Sequence, residues 1–285
     1  MSSKVIDGSK LASELKDKLK EEIEDLKNEG RAPGLATILL GDDPAAKAYV
    51  NMKEKVAKKL GIKSQIHQLD EDIEEKELLN LIYDLNNDNH IDGILIQLPL
   101  PKHIDDTKVI ENLDPRKDVD GFHPLNTGRL FSNIDQSLSF VPCTPLGVME
   151  LIKSTGIDIK GKKAVMVGHS NIVGKPATHL LLDEFATVTV CHVHTKDLKK
   201  ETKKADILIS AVGKANLITA DMVKDGAVVI DVGINKVDGE ITGDVDFENV
   251  KEKASYITPV PGGSGPMTIA MLMKNTVKAR KYHGV

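Results

Sequence analysis

A chain of 285 residues, 40% hydrophobic and 28% charged with a net charge of −5, has room for two ordinary domains and the make-up of a soluble globular protein. The acidic balance argues against a dedicated nucleic-acid binder, and aromatics at 3% with no Trp argue against a base-stacking platform. Cys143 and Cys191 form no disulfide framework and suggest a reducing, cytoplasmic setting, while neither a signal core nor an apolar run of membrane-spanning length is present.

In chain order, "KLASELKDKLKEEIEDLKNEG" predicts an amphipathic helix, with Leu11, Leu15, Leu19 and Ile23 on one face. The apolar strand "GLATILLG" follows, then the helix "PAAKAYVNMKEKVAKKLG", stopped by Gly61. "SQIHQL", the helix "EKELLNLIYDLNND" and "DGILIQLPLP" continue the alternation. Continuous apolar strands between helices indicate a parallel sheet covered on both faces. From about residue 123 to 143 the pattern lapses, and the stretch reads as a connection. The helix "TPLGVMELIKSTG" opens a second α/β run: strand 163–168, helix 173–184, strand "TVTVCHV", a helix near 198–204, and strands "DILISAV" and "AVVIDVGI". A last strand, "YITPV", meets the loop "PGGSGP" and the helix "MTIAMLMKNTVKARKY", which has no strand left to serve in the second run and is expected to return to the first. The fold class is therefore α/β. The domains are read as 1–122, completed by the C-terminal helix 266–285, and a Rossmann-type domain 143–265.

Residues 165–176, "VMVGHSNIVGKP", carry the first chemical signal. Gly168 and Gly174 have five residues between them, then Lys175 and Pro176. A Walker loop has four residues between its glycines and a Ser or Thr after the Lys to ligate Mg²⁺. The usual dinucleotide fingerprint is G-x-G-x-x-G. Strand–turn–helix context still offers backbone amides and a positive helix end to a pyrophosphate. The plain alternative is a tight turn with glycines for packing. Pro176 supplies no hydroxyl, so a dinucleotide is the better reading. The following strand has no carboxylate for a ribose 2′-OH until Asp197, which leans toward NADP. Cys191, His192 and His194 lack a fourth ligand at the usual spacing, so no metal is expected.

Tyr49 and Lys53 are four apart and share a helix face. A Y-x-x-x-K pair is typical of short-chain dehydrogenases, but there it follows the dinucleotide loop. Gln97 lies at the carboxyl end of a strand, where open α/β sheets keep their ligands. Asp118 and Asp120 sit in a loop, and "TPVPGGSGPMT" brings a glycine-rich turn to a helix start.

Taken together, "YVNMKEKVAKKLGI", "GILIQLPLP", "KDVDGFHPLNTGRL", "PCTPLGVMELI", "VGHSNIVGKP", "ISAVGKANLI", "VIDVGI" and "ITPVPGGSGPMT" resemble the methylenetetrahydrofolate dehydrogenase/cyclohydrolase family, in order from about Ile6 to the C-terminus. The resemblance implies two α/β domains flanking a cleft, the second a Rossmann-type dinucleotide-binding domain. It implies tetrahydrofolate one-carbon derivatives as substrates, NADP as cofactor with NAD possible, a homodimer, and a role in purine biosynthesis. Lys53 matches the catalytic lysine, Gln97 its hydrogen-bonding partner, Tyr49 the ring that packs on the folate, and Asp120 the acid that grips the pterin. Ile96, Leu98, Pro261, Gly262, Gly263, Ser264 and Gly265 match substrate-contacting positions. Gly168, His169, Ser170, Val173, Val193, His194, Gly213 and Ile234 match cofactor-binding positions. An ordinary Lys is protonated at neutral pH, so the chemistry needs an amine whose pKa is lowered by burial beside an apolar ring and a cationic substrate.

Four positions depart from the family pattern. Ala46 stands where Ser is common, Ser264 replaces Val in P-G-G-V-G, His169 is often Arg and Val193 often Ser. The last two leave NADP against NAD open. Two other readings remain from the residues: a short-chain-type carbonyl reductase with Tyr49 as acid, and a non-catalytic dinucleotide-sensing module.

Overall fold

Apolar runs between helices become the parallel strands of two sheets. The computed structural model describes residues 4–134 and 139–283. The chain divides into two compact units, one of Glu14–Cys143 with Leu272–Val285, the other of Met1–Ser13 with Thr144–Met271.

The first of these is built on a parallel sheet of β2 (Gly34–Leu40), β3 (Lys63–Leu69) and β4 (Gly93–Ile96), with β2 in the middle. The pairing sets Leu35 beside both Ser64 and Gly93. Its helices are the larger part of α1 (Gly8–Asn28), α2 (Pro44–Leu60), α3 (Glu75–Asn87), α4 (Asp106–Glu111), α5 (Pro124–Ser132) and the end of α10 (Ser264–His283). Leu78, Ile82 and Leu85 of α3 fall on one face and meet Ala36, Ile38, Ile94 and Ile96 in an apolar core. A wholly buried Ile or Leu of this kind contributes roughly 1.5–3 kcal/mol. On α1, Leu19 and Ile23 of the expected stripe are buried, with Ala12 and Leu26, while Leu11 and Leu15 are half-buried.

The stretch read as a connection contains α5. His123 Nδ1 accepts the Leu125 N–H at 3.1 Å, Pro124 opens the helix, and Asn133 at φ +53° closes it. Pro at a first helical position is a start signal, but the short "PLNTGRLFS" lacks an apolar period long enough to predict a helix. Residues 135–138 of that stretch, like 284–285 of the expected last helix, lie outside the described residues.

The other unit carries a six-stranded parallel sheet in the order β1-β11-β8-β7-β5-β6: Lys4–Val5, Tyr256–Ile257, Val228–Asp231, Ile207–Ser210, Lys163–Val167 and Thr187–Cys191. β7 and β8 are buried along their whole length, as expected under helices on both faces. The helices are α6 (Cys143–Ser154), α7 (Gly174–Asp183), α8 (Leu198–Thr202) and α9 (Phe247–Val250). Lys4 pairs with Tyr256 and Val5 with Ile257, so the N-terminal residues group with this unit although the sequence reading joins them to 1–122. A hairpin of β9 (Asn235–Val237) and β10 (Glu240–Thr242) stands outside the sheet. The chain leaves β5 for β6 on one side and later for β7 on the other, which makes the carboxyl end of β5 a topological switch point. Among the described residues no helix is long and apolar enough to cross a membrane.

Candidate active site

Tyr49 and Lys53 stand one turn apart on α2, on the side that buries Val50, Ala57 and Leu60. The helix is fixed at both ends. Asp43 accepts the Ala46 N–H at 2.8 Å, Pro44 opens the first turn, and Gly61 at φ +88° takes the left-handed stop. Lys53 is only 6% exposed, donates to Gln97 Oε1 at 3.0 Å, and holds its ammonium 4.5 Å from the Tyr49 ring centroid. Gln97 follows β4, and its N–H donates to Ile38 O of β2 at 2.9 Å, so a central strand sets its position. Its Nε2 donates to Leu98 O at 3.1 Å, which turns the amide oxygen toward the lysine. Ile96 and Leu98 pack into the apolar core, and the Leu98–Pro99 peptide is cis.

Asp120 comes from the segment beside β4. Ile94 N–H donates to Lys117 O at 2.7 Å, and Gly93 lacks a Cβ that would fall 2.6 Å from Val119 Cγ1. Asp118, 1% exposed, accepts from Gly121 N at 3.0 Å, His123 N at 2.7 Å and Asn126 Nδ2 at 2.9 Å. Asp118 is thus consumed in shaping the loop, and burial pushes its carboxyl upward against these donors. Asp120 is half-buried and lies beside the Cys143 thiol.

The electrostatics of this group are coherent. Burial lowers the Lys53 pKa, with Asp120 and then Cys143 pulling the other way. Burial, then the charge of Asp120, raises the Tyr49 hydroxyl and keeps it a neutral phenol. Cys143 and Asn275 were not found from sequence. Burial and the adjacent Asp120 push the Cys143 thiol well above the usual range, while its Sγ donates to Val119 O at 3.4 Å. Asn275 of α10 donates through Nδ2 to Val119 O at 2.8 Å and Val141 O at 3.1 Å, pinning the residue before Asp120. "PCTP" carries the thiol, yet a single Cys and a helical Asn have no spacing that marks them.

In the other unit the glycine turn is tightly built. Gly168 has φ +121°, and a Cβ there would lie 2.4 Å from Ala211 O. A Cβ on Gly174 would lie 2.3 Å from Gly168 O, so both glycines are needed for the turn to close onto α7. Ser170 Oγ accepts from Val173 N at 3.2 Å and Gly174 N at 3.4 Å. The exposed His169 ring lies 5.3 Å from His192, which lies 6.0 Å from His194. Val193 between them is 89% exposed. Asp197, the first carboxylate beyond β6, accepts the Lys200 N–H at 2.9 Å and caps α8. The end of β6 therefore shows imidazoles and a committed acid, a donor set that suits a phosphate better than a ribose hydroxyl. Gly213, at φ +68°, and the 63% exposed Ile234 follow β7 and β8.

Pro261, Gly262, Gly263, Ser264 and Gly265 form the turn into α10, with a cis Val260–Pro261 peptide and Gly262 at φ +106°. Gly262 O accepts the Ser9 N–H at 3.0 Å, and a Cβ on Gly263 would lie 2.6 Å from Pro259 O. The structure thus brings Tyr49, Lys53, Gln97 and Asp120 together in one unit. The glycine turn, the imidazoles and the Pro261–Gly265 segment belong to the other.

Two family models match the chain. The tetrahydrofolate dehydrogenase/cyclohydrolase catalytic domain covers residues 6–120, and the NAD(P)-binding domain of the same name covers 142–284. The bifunctional protein FolD of Halothermothrix orenii is 62% identical over 282 residues, 99% of each chain. The crystal structure of the bifunctional FolD methylenetetrahydrofolate dehydrogenase/cyclohydrolase from Campylobacter jejuni is 52% identical, with a TM-score of 0.96 and 99% of each chain covered. The Trypanosoma brucei dehydrogenase-cyclohydrolase, solved with NADP cofactor and inhibitor, is 38% identical with a TM-score of 0.95, covering 99% of this chain and 98% of its own.

Proposed function

The chain belongs to the tetrahydrofolate dehydrogenase/cyclohydrolase family, and we propose that it carries out both reactions of that name with the residues described above. It oxidises methylenetetrahydrofolate to methenyltetrahydrofolate with NADP and hydrolyses the methenyl form to formyltetrahydrofolate. The observation that carries the assignment is the buried Lys53 amine held by the neutral Gln97 amide at 3.0 Å.

Bound NADP would supply the hydride acceptor for oxidation of the methylene carbon. The residues suited to hold it are Gly168, His169, Ser170, Val173, Val193, His194, Gly213 and Ile234, with NAD as a possible substitute. For hydrolysis Lys53 is the base. Burial lowers its pKa, and a cationic methenyl substrate lowers it further. The neutral amine takes a proton from the attacking water as the C–O bond forms and returns it to the folate nitrogen as the C–N bond breaks. The carbinol O–H meanwhile becomes the formyl C=O and releases its proton to solvent, matching the lost charge of the methenyl cation. Gln97 orients the amine without adding the charge that would keep it protonated. The Tyr49 ring packs on the folate, and Asp120 accepts its pterin N–H groups in a charge-assisted contact. Ile96, Leu98 and the Pro261–Gly265 turn complete the substrate contacts.

The test is the absorbance of methenyltetrahydrofolate after methylenetetrahydrofolate and NADP are supplied. It should rise and then decay to the formyl product. No rise with either NADP or NAD would refute the assignment. We place the enzyme in the cytoplasm, where its two buried free cysteines are at home, as a homodimer supplying formyl groups to purine biosynthesis. Sedimentation at the 31.0 kDa of one chain would overturn the dimer.

A further inference from the structure

Two buried carboxylates outside the catalytic group organise the carboxyl ends of β7 and β8. Asp244, wholly buried, accepts four donors: Ser210 Oγ at 3.1 Å and Val212 N at 2.7 Å on one oxygen, Lys214 N at 2.9 Å and Asn235 Nδ2 at 3.1 Å on the other. Four donors fill the acceptor sites of a carboxylate, so this one has no free lone pair for a metal or a proton transfer. Asp231, 2% exposed, secures Asp244 in turn, accepting from Asp244 N at 3.0 Å, Val245 N at 2.9 Å and Gly233 N at 3.0 Å.

The glycines around the pair are shaped to it. A Cβ on Gly233 would lie 2.0 Å from Asp244 Oδ1, and one on Gly243 would lie 1.9 Å from Asp231 Oδ2. The hairpin β9–β10 gains a purpose from this arrangement, since it is the excursion that brings the chain back to seat Asp244 over its own starting loop. What Asp244 grips is also informative. The loop 212–214 lies against the glycine turn, where a Cβ on Gly168 would be 3.5 Å from Val212 Cγ1. Each of the two gripped loops carries an aliphatic side chain out of the core, Val212 at 37% and Ile234 at 63% exposure. Open α/β sheets bind ligands at such strand ends, and exposed aliphatics there suit a flat ring.

We propose that Asp244 is a positioning residue for the dinucleotide, fixing the loops after β7 and β8 so that Val212, Gly213 and Ile234 present a ready-made surface to it. The inference rests on the assignment of this unit as the cofactor-binding one. Asp244 acts through backbone amides and through the Ser210 and Asn235 side chains, and touches no reacting atom.

The experiment compares Asp244→Asn and Asn235→Ala with the parent in three measurements: NADP affinity by calorimetry, hydrogen exchange of segments 211–214 and 233–235, and methenyl hydrolysis, which consumes no NADP. Asp244→Asn turns one acceptor into a donor facing N–H groups and should weaken NADP binding about tenfold. It should also speed exchange in both segments while hydrolysis stays within about twofold. Asn235→Ala leaves the backbone amides bound, so it should loosen 233–235 alone and weaken NADP about threefold. If both variants bind NADP as the parent does, the positioning role is wrong. If Asp244→Asn does not fold, Asn235→Ala decides alone. A parent that binds neither NADP nor NAD would instead overturn the cofactor assignment itself.

Discussion

The Lys53 ammonium donates to the oxygen of a neutral amide, Gln97 Oε1, at 3.0 Å, in surroundings where burial already lowers its pKa. A carboxylate at the same place would favour the charged amine. In Gln97→Glu the hydrolytic pH–rate profile should therefore move toward alkaline pH by about one unit or more, because a base works only once deprotonated. A profile that stays in place would remove Gln97 from the proton-transfer step.

Lys53→Met keeps the side-chain volume and removes the amine. Methenyl hydrolysis should be abolished, while NADP still binds with the parent's affinity. Normal hydrolytic turnover would sink the assignment of Lys53 as base.

Asp120→Asn keeps the shape of the acid and loses its charge. A charge-assisted hydrogen bond is worth about 1.5–3 kcal/mol, so folate binding should weaken at least about tenfold, with little change for NADP. Equal folate affinity by calorimetry would make Asp120 a loop residue like Asp118.

Beyond the ends of β5 and β6, His169, His192 and His194 stand where an always-charged guanidinium would be simpler. A guanidinium offers a phosphate a fixed charge and a two-pronged donor fork, which an imidazole does not. Of the nearby lysines, Lys175 donates to Asn171 Oδ1 at 2.6 Å, and Lys196 is exposed. His169→Arg should accordingly raise the NADP-to-NAD affinity ratio several-fold, measured by calorimetry with both cofactors. A ratio indifferent to that change would mean that His169 does not read the phosphate.

Burial pushes the Asp231 carboxyl up to about 6 from 3.8, against its backbone donors and helped by the charge of Asp244, the acid facing it. Its folded-state pKa is raised, so its favourable contribution is complete below about pH 4 and lost as pH climbs through about 6, roughly 3 kcal/mol in all. Asp231→Asn does not titrate, and its denaturation midpoint should lack this decline between pH 4 and 7. Parallel pH curves for the two proteins would show that Asp231 stays ionised throughout.

The helices with a clear apolar period and a chemical stop could be read directly: α2 ends at Gly61 because the left-handed turn there suits glycine. The hairpin β9–β10 could not, although Asp238 and Gly239, at φ +51° and +88°, make the Asp-Gly turn that favours hairpins. Its strands are three residues each and mostly exposed, too short to alternate visibly. At the active site, the helical spacing of Tyr49 and Lys53 was legible, and the family resemblance supplied their roles. The approach of Gln97 and Asp120 depends on pairing between distant strands, and the support from Asn275 and Cys143 depends on burial. Neither leaves a local pattern.

Lys53 occupies a position that helix geometry reserves for the core, in line with Val50, Ala57 and Leu60. An aliphatic side chain there would avoid the cost of burying an amine, so Lys53→Leu should fold more firmly and lose methenyl hydrolysis. A population of variants sorted by heat resistance alone would discard this lysine early. Its persistence in a working lineage would then record selection for turnover rather than for endurance.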